Sequence, residues 1–172
     1  FFWMLAPGES FHAPEAVLTY STDGLDGMSR QFHRICSEHL VHGEYAHARR
    51  PSLLNNWEAT YFHFNEEKLL RIARTAADVG VELFVLDDGW FGHRDSDNSS
   101  LGDWTPDRRK LPDGLPALSE KIHDLGLKFG LWFEPEMISP DSNLFRAHPD
   151  WCIHVCNRPN VESRNQLVLD LS

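Results

Sequence analysis

Two adjacent carboxylates, Asp87 and Asp88, follow an apolar run at residues 81–86 that only Glu82 interrupts, and they precede Gly89. Carboxylates at the end of a buried strand are costly unless they are paired or used. A direct use is to accept hydrogen bonds from vicinal hydroxyls of a sugar, because carboxylate acceptors make short, charge-assisted bonds. A site built around a hydroxyl also rejects analogues that lack or misplace it. Neighbouring strand residues point to opposite faces, so a shared site needs the bend that Gly89 permits. The competing reading is one aspartate capping a turn and the other solvated. Trp57 and Trp132 each stand at the end of another strand candidate. An indole offers a flat wall to the C–H face of a pyranose and an N–H to a hydroxyl. Either tryptophan could equally be core. Arg164, in Glu162-Ser163-Arg164-Asn165, could donate to ring hydroxyls or orient a carboxylate.

Other residues invite different chemistry. Glu134 and Glu136 flank Pro135 and could be an acid–base pair or an exposed turn. With Asp87 and Asp88 they could also supply oxygen ligands to a metal-dependent barrel hydrolase or isomerase. The ten histidines include no H-E-x-x-H motif, and Cys152, His154 and Cys156 suit a zinc ribbon poorly. A metal held by histidines or cysteines is therefore not expected, and no motif calls for a cofactor. No G-x-S-x-G elbow supports a serine nucleophile, and no G-x-G-x-x-G follows a strand. The formal net charge is −10, without a dense Lys/Arg block, which argues against nucleic acid and anionic membranes as partners. No apolar run approaches the ~18 residues that would cross a bilayer. Three cysteines cannot all pair with one another, so a disulfide scaffold is not expected.

These residues need a scaffold, and the pattern supplies one. Residues 53–62 read as a first strand region. Asn65 reads as an N-cap, with Leu69, Leu70, Ala73, Ala76 and Ala77 as the buried face of a helix that Gly80 ends. Residues 81–86 read as a strand buried on both faces. Leu115, Leu118, Ile122 and Leu125 mark a second helix, residues 129–133 a third strand, residues 142–148 a short helix and residues 166–169 a fourth strand. Alternating strands and helices imply an α/β fold with a parallel sheet. Trp57, Asp87, Asp88, Trp132 and Glu134 gather where strands end, as in barrels that build their sites there. A full (β/α)8 barrel takes about 250 residues, so residues 51–172 read as the first half of one, an incomplete TIM-type barrel. Residues 1–50 read as the end of a β-rich region, with strand candidates at 2–5 and 16–20, and a linking helix over 25–42. The chain opens on Phe1, shows no signal peptide, and is expected to be an internal piece of a longer protein.

Several long motifs then fall into one order. Leu54-Asn55-Asn56-Trp57-Glu58-Ala59-Thr60-Tyr61-Phe62, Leu86-Asp87-Asp88-Gly89-Trp90-Phe91-Gly92, Gly102-Asp103-Trp104 and Leu131-Trp132-Phe133-Glu134-Pro135-Glu136-Met137 resemble the α-galactosidases of glycoside hydrolase family 36. Pro7-Gly8-Glu9-Ser10-Phe11 resembles the junction between that family's β-sandwich and its barrel. The resemblance implies a retaining hydrolase, without metal, that releases terminal α-galactose from melibiose- and raffinose-type sugars. It implies that Asp87 and Asp88 hold galactose O4 and O6, that Trp57 and Trp132 wall the pocket, and that Arg164 contacts substrate. Both catalytic aspartates are expected beyond Ser172, because the family's nucleophile follows a Lys-x-Asp segment and this chain has none. A homotetramer is implied in the same way, and a cytoplasmic location is expected. The alternatives are galactosyl transfer to a sugar acceptor and a galactose-binding fragment without activity.

Overall fold

The structure is a computed structural model and describes residues 4–171. The chain forms two compact units, Phe1–Arg50 and Pro51–Ser172.

In the first unit, helix α1 spans Gly24–Ile35 and passes into a π-helical turn over Cys36–Leu40, where the Val41 N–H reaches the Cys36 carbonyl at 2.9 Å. The preceding segment folds back along the helix, and the Gln31 amide donates to the Tyr20 carbonyl at 3.0 Å. Gly27 is buried against this segment, where a Cβ would collide with the Ser21 side chain. Residues 16–20, expected as a strand, form none: no strand occurs among the described residues of this unit. β-propensity does not form a ladder without a partner edge. Phe2 and Trp3 of the other strand candidate lie outside the described residues.

The second unit is built on three parallel strands in the order β1 (Leu53–Asn55), β2 (Leu83–Leu86) and β3 (Lys128–Leu131). Leu53 aligns with Leu83, and Leu86 with Leu131. The first strand is shorter than expected. After Asn56 the chain turns into a single helical turn, α2 (Trp57–Thr60), so Trp57 lies just past the strand end. Helix α3 (Glu66–Asp78) starts where Asn65 Oδ1 accepts the Lys68 N–H at 2.9 Å, and it buries Leu69, Ala73 and Ala76 on one face. Helix α4 (Gly114–His123) buries Leu118 and Ile122. Leu69, Ala73, Leu118 and Ile122 form the main core with Phe84, Leu86, Trp90, Phe91, Leu101 and Leu111. Each such large apolar side chain contributes roughly 1.5–3 kcal/mol when fully buried. Strand β2 alternates: Phe84 and Leu86 are buried, while Leu83 and Val85 are half-buried.

The expected fourth strand is not part of this sheet. Strand β5 (Leu167–Val168) pairs antiparallel with β4 (Met137–Ile138). Between them lie α5 (Asn143–Ala147), capped by Ser142 Oγ on the Phe145 N–H, and a 3-10 turn at Pro149–Trp151. Ile138, Cys152 and Leu167 form a small separate core there. Among the described residues, no helix is long and apolar enough to cross a membrane.

Candidate functional site at the strand ends

Parallel pairing places the residues after β1, β2 and β3 along one edge of the sheet. Asn56 N–H donates to the Val85 carbonyl at 3.4 Å, and Trp132 N–H to the Leu86 carbonyl at 2.9 Å. Trp57, Asp87 and Trp132 therefore stand at three neighbouring strand ends.

Asp87 is half-buried and held by two asparagines. The buried Asn56 accepts the Asp87 N–H on Oδ1 at 2.8 Å and donates to Thr60 Oγ1 at 2.7 Å. Asn55 donates from Nδ2 to Asp87 Oδ2, while its Oδ1 accepts the Trp57 N–H at 2.7 Å. The other carboxylate oxygen, Oδ1, accepts the Asp88 N–H at 2.6 Å. An ionised carboxylate has about four lone-pair sites, so Asp87 keeps acceptor capacity on both oxygens.

Asp88 is placed differently. Arg94 grips both of its oxygens, Nε on Oδ1 at 2.5 Å and Nη2 on Oδ2 at 2.8 Å, with the two side chains 1% and 10% exposed. The guanidinium also donates to the Ser99 carbonyl at 2.7 Å and lies 5.7 Å from the ring centres of both Phe62 and Phe91. The two aspartates are thus not an equivalent pair of free acceptors: Asp88 is the buried counter-ion of Arg94. Gly89 makes this turn possible. Its φ is +93°, and a Cβ would meet the Phe62 ring at 3.0 Å. Lys110 seals the turn by donating to the carbonyls of Gly89 and Arg94, both at 2.9 Å, and pairs with Asp95. That bond holds the Asp95 carboxyl below the usual carboxylate range.

The tryptophans differ as well. Trp57 is half-buried and meets Tyr61 and Phe62 edge-on at 5.1 and 5.0 Å. The Tyr61 hydroxyl donates to Glu58, which raises its pKa. Trp132 is half-buried in an aromatic cluster, stacked at 6.5 Å on Phe91 and edge-on to Trp104. The Trp90 indole N–H donates to the Trp132 carbonyl at 3.0 Å, which fixes this strand end from the loop after β2. Among the described residues, no hydrogen bond or ion pair joins Arg164 to the other candidates. It is exposed, at φ +54° in a two-residue turn closed by Ser163 and Gln166. Only the turn itself is tied inward, by Gln166 Nε2 donating to Glu134 at 3.3 Å. Among the described residues, no three His, Cys, Asp or Glu side chains are grouped to hold a metal ion.

Asn55, Asn56, Arg94 and Lys110 were missed as site residues. The Asn-Asn pair at a strand end was a usable signal. Arg94 and Lys110 gave none, since both lie in polar loop sequence.

The Melibiase family profile matches residues 10–172. Alpha-galactosidase AgaA of Geobacillus stearothermophilus is 61% identical over 172 residues, which are 100% of this chain and 24% of that protein. The crystal structure of that GH36 enzyme superposes with a TM-score of 0.92 over 98% of this chain and 23% of the other, at 61% identity. A variant of it in complex with raffinose superposes with a TM-score of 0.82 at 61% identity, over 86% of this chain and 20% of that one. The chain thus spans about a quarter of the length of these relatives.

Proposed function

The chain belongs to the Melibiase family, and from that premise we propose that the protein carrying it is an α-galactosidase. It releases terminal non-reducing α-D-galactose from melibiose- and raffinose-type sugars with retention of configuration. The observation that carries this reading is Asp87, a half-buried carboxylate with spare lone pairs, set between strand ends that bear Trp57 and Trp132. That arrangement suits one hydroxylated edge of a pyranose on the carboxylate and its C–H face on an indole. Asp88 contributes the lone pairs that Arg94 leaves over, and Arg164 donates from its turn to the same sugar. Strands β1–β3 and helices α3 and α4 are the first part of a (β/α)8 barrel, with the site at the C-terminal strand ends.

The nucleophile and the acid/base are assigned outside residues 1–172. A retaining glycosidase needs carboxyl groups about 5–5.5 Å apart flanking the scissile bond. Asp87 and Asp88 are consecutive and are committed to Asn55 and Arg94. The chemistry requires no metal or cofactor. A cytoplasmic homotetramer completes the proposal.

Kinetics on the full-length protein with melibiose, raffinose and an activated aryl α-galactoside test the reading. No galactose released from any of the three overturns it. Asp87→Asn keeps size but loses a charged acceptor worth on the order of 1.5–3 kcal/mol. It should lower kcat/KM roughly ten- to a hundredfold on natural and activated substrates alike. Azide should not restore activity; formation of a β-galactosyl azide would make Asp87 the nucleophile.

A further inference from the structure

Asn55 is the last residue of β1, and its exposed side chain bridges two strand ends. Its Oδ1 accepts the Trp57 N–H at 2.7 Å and its Nδ2 donates to Asp87 Oδ2. Only one orientation of the amide serves both partners. Reversed, it would set N–H against N–H and a carbonyl oxygen against a carboxylate. The neighbouring Asn56 differs: it is buried and holds the Asp87 backbone through the amide N–H. The Asp87 carboxylate itself is fixed by its own turn, through the Asp88 N–H on Oδ1, and by Asn55 on Oδ2. An exposed amide finds equivalent hydrogen bonds in water, so this pair of bonds adds little to stability. What it supplies is orientation.

We propose that Asn55 is a positioning residue for sugar recognition, which sets the Asp87 carboxylate and the Trp57 indole at one fixed separation. The inference rests on the α-galactosidase reading and deepens it. Asp87 takes two hydroxyls of a terminal galactose only if its carboxylate plane is held. Without Asn55 the carboxylate keeps only the Asp88 N–H on Oδ1, so its Oδ2 edge can swing about that bond, and misplacement by about 1 Å can cost up to a hundredfold. Hydroxyl recognition is shared by the ground state and the transition state, so the loss falls on KM more than on kcat.

The test is a double-mutant cycle on the full-length protein, read by steady-state kinetics on raffinose and an aryl α-galactoside. Asn55→Ala should raise KM about tenfold and change kcat less than about threefold, with an unaltered melting temperature. In an Asp87→Asn background the same replacement should raise KM by a clearly smaller factor, about threefold or less, because the carboxylate it positions is already gone and only Trp57 remains to be held. Asn55→Asp is isosteric but opposes Asp87 with a like charge, and should be at least as harmful as alanine. An unchanged KM in the Asn55→Ala protein overturns the inference. So does an equal factor in both backgrounds, which would mean that Asn55 does not act through Asp87. A fall in melting temperature with KM unchanged would make the role structural and overturn it too. A wild-type protein that releases no galactose overturns the α-galactosidase reading first and this inference with it, and it differs from the other outcomes in yielding no wild-type KM.

Discussion

The segment that follows β2, residues 87–112, and the segment that follows β3, residues 132–171, each carry an arginine–aspartate pair, in opposite surroundings. The Arg94 and Asp88 side chains are 1% and 10% exposed, whereas those of Arg146 and Asp141 are 52% and 55% exposed. The first segment buries Trp90, Phe91, Leu101 and Leu111 in the main core, and Ser99, Ser100, Asp107 and Lys110 with them. The second leaves Ile153, Val155, Val161 and Leu171 exposed and has a small core of its own at Ile138, Cys152 and Leu167, with Trp132 and Met137 packed against the main one. The two are stitched together: Ser100 N–H donates to the Asp141 carbonyl at 2.7 Å, and the Asp103 carboxylate accepts the Asn143 and Leu144 N–H groups at the start of α5. The difference teaches that the β2 segment is part of the scaffold that shapes the sheet edge, while the β3 segment is attached to it. A charge inside the first is a structural commitment; the same charge on the second is a surface feature.

The largest effect follows from the buried pair. Arg94→Ala strands the Asp88 carboxylate without its partner and should destabilise the second unit by about 3–5 kcal/mol. Arg146→Ala removes an exposed pair and should cost about 0–1 kcal/mol. Urea unfolding of both variants measures this, and equal losses would erase the distinction between the segments.

Core packing gives the next contrast. Leu101→Ala removes a fully buried side chain and should cost roughly 2–5 kcal/mol. Val168→Ala, at a position 47% exposed, should stay within about 0.5 kcal/mol. A larger loss at Val168 would mean that the β3 segment is covered in the full protein, and thermal melts of the full-length variants read it directly.

Acid sensitivity is the smallest effect. Burial pushes the Asp107 carboxyl up, but hydrogen bonds and charge from Arg109, with the Lys110 charge, together bring it below the usual carboxylate value of about 3.8. Arg146 and His93 hold Asp141 down in the same way. A carboxyl lowered in the folded state contributes stability above its unfolded value, and that contribution is lost as pH falls through the folded value. Melting temperature should therefore fall below about pH 4. Asp107→Asn, at a buried carboxylate, should flatten that fall more than Asp141→Asn, at an exposed one. Equal slopes in a pH series of melts would contradict the contrast.

Helices α3 and α4 and strands β2 and β3 were readable from residue order because their signals are local. Leu69, Ala73 and Ala76 recur at helical spacing, Asn65 caps by reaching three residues ahead, and residues 83–86 form a short apolar run between polar boundaries. The same holds for Asp87 and Trp132, whose place at strand ends follows from where each apolar run stops, whereas the strand region expected over 53–62 stops at Asn55 and leaves Trp57 just past its end. Partner choice was not readable. Residues 16–20 and 167–168 carry similar strand signals, yet the first stay unpaired and the second join Met137 and Ile138 in an antiparallel pair. Strand pairing is decided by which edges meet in space, and a short apolar run does not encode that.

The adjacent carboxylates show the same division more sharply. Sequence alone determined that two acids follow a buried strand and that a glycine after them allows a bend. Only the tertiary structure decided that the Asp87 carboxylate is turned to Asn55 and keeps free acceptor sites, while Asp88 is turned to Arg94. That outcome depends on Phe62 and Phe91 closing around the guanidinium, and on Lys110 binding the carbonyls of the same turn. Hydrogen bonds and ion pairs depend on distance and burial, and neither is set until the chain has brought residues far apart in sequence against one another.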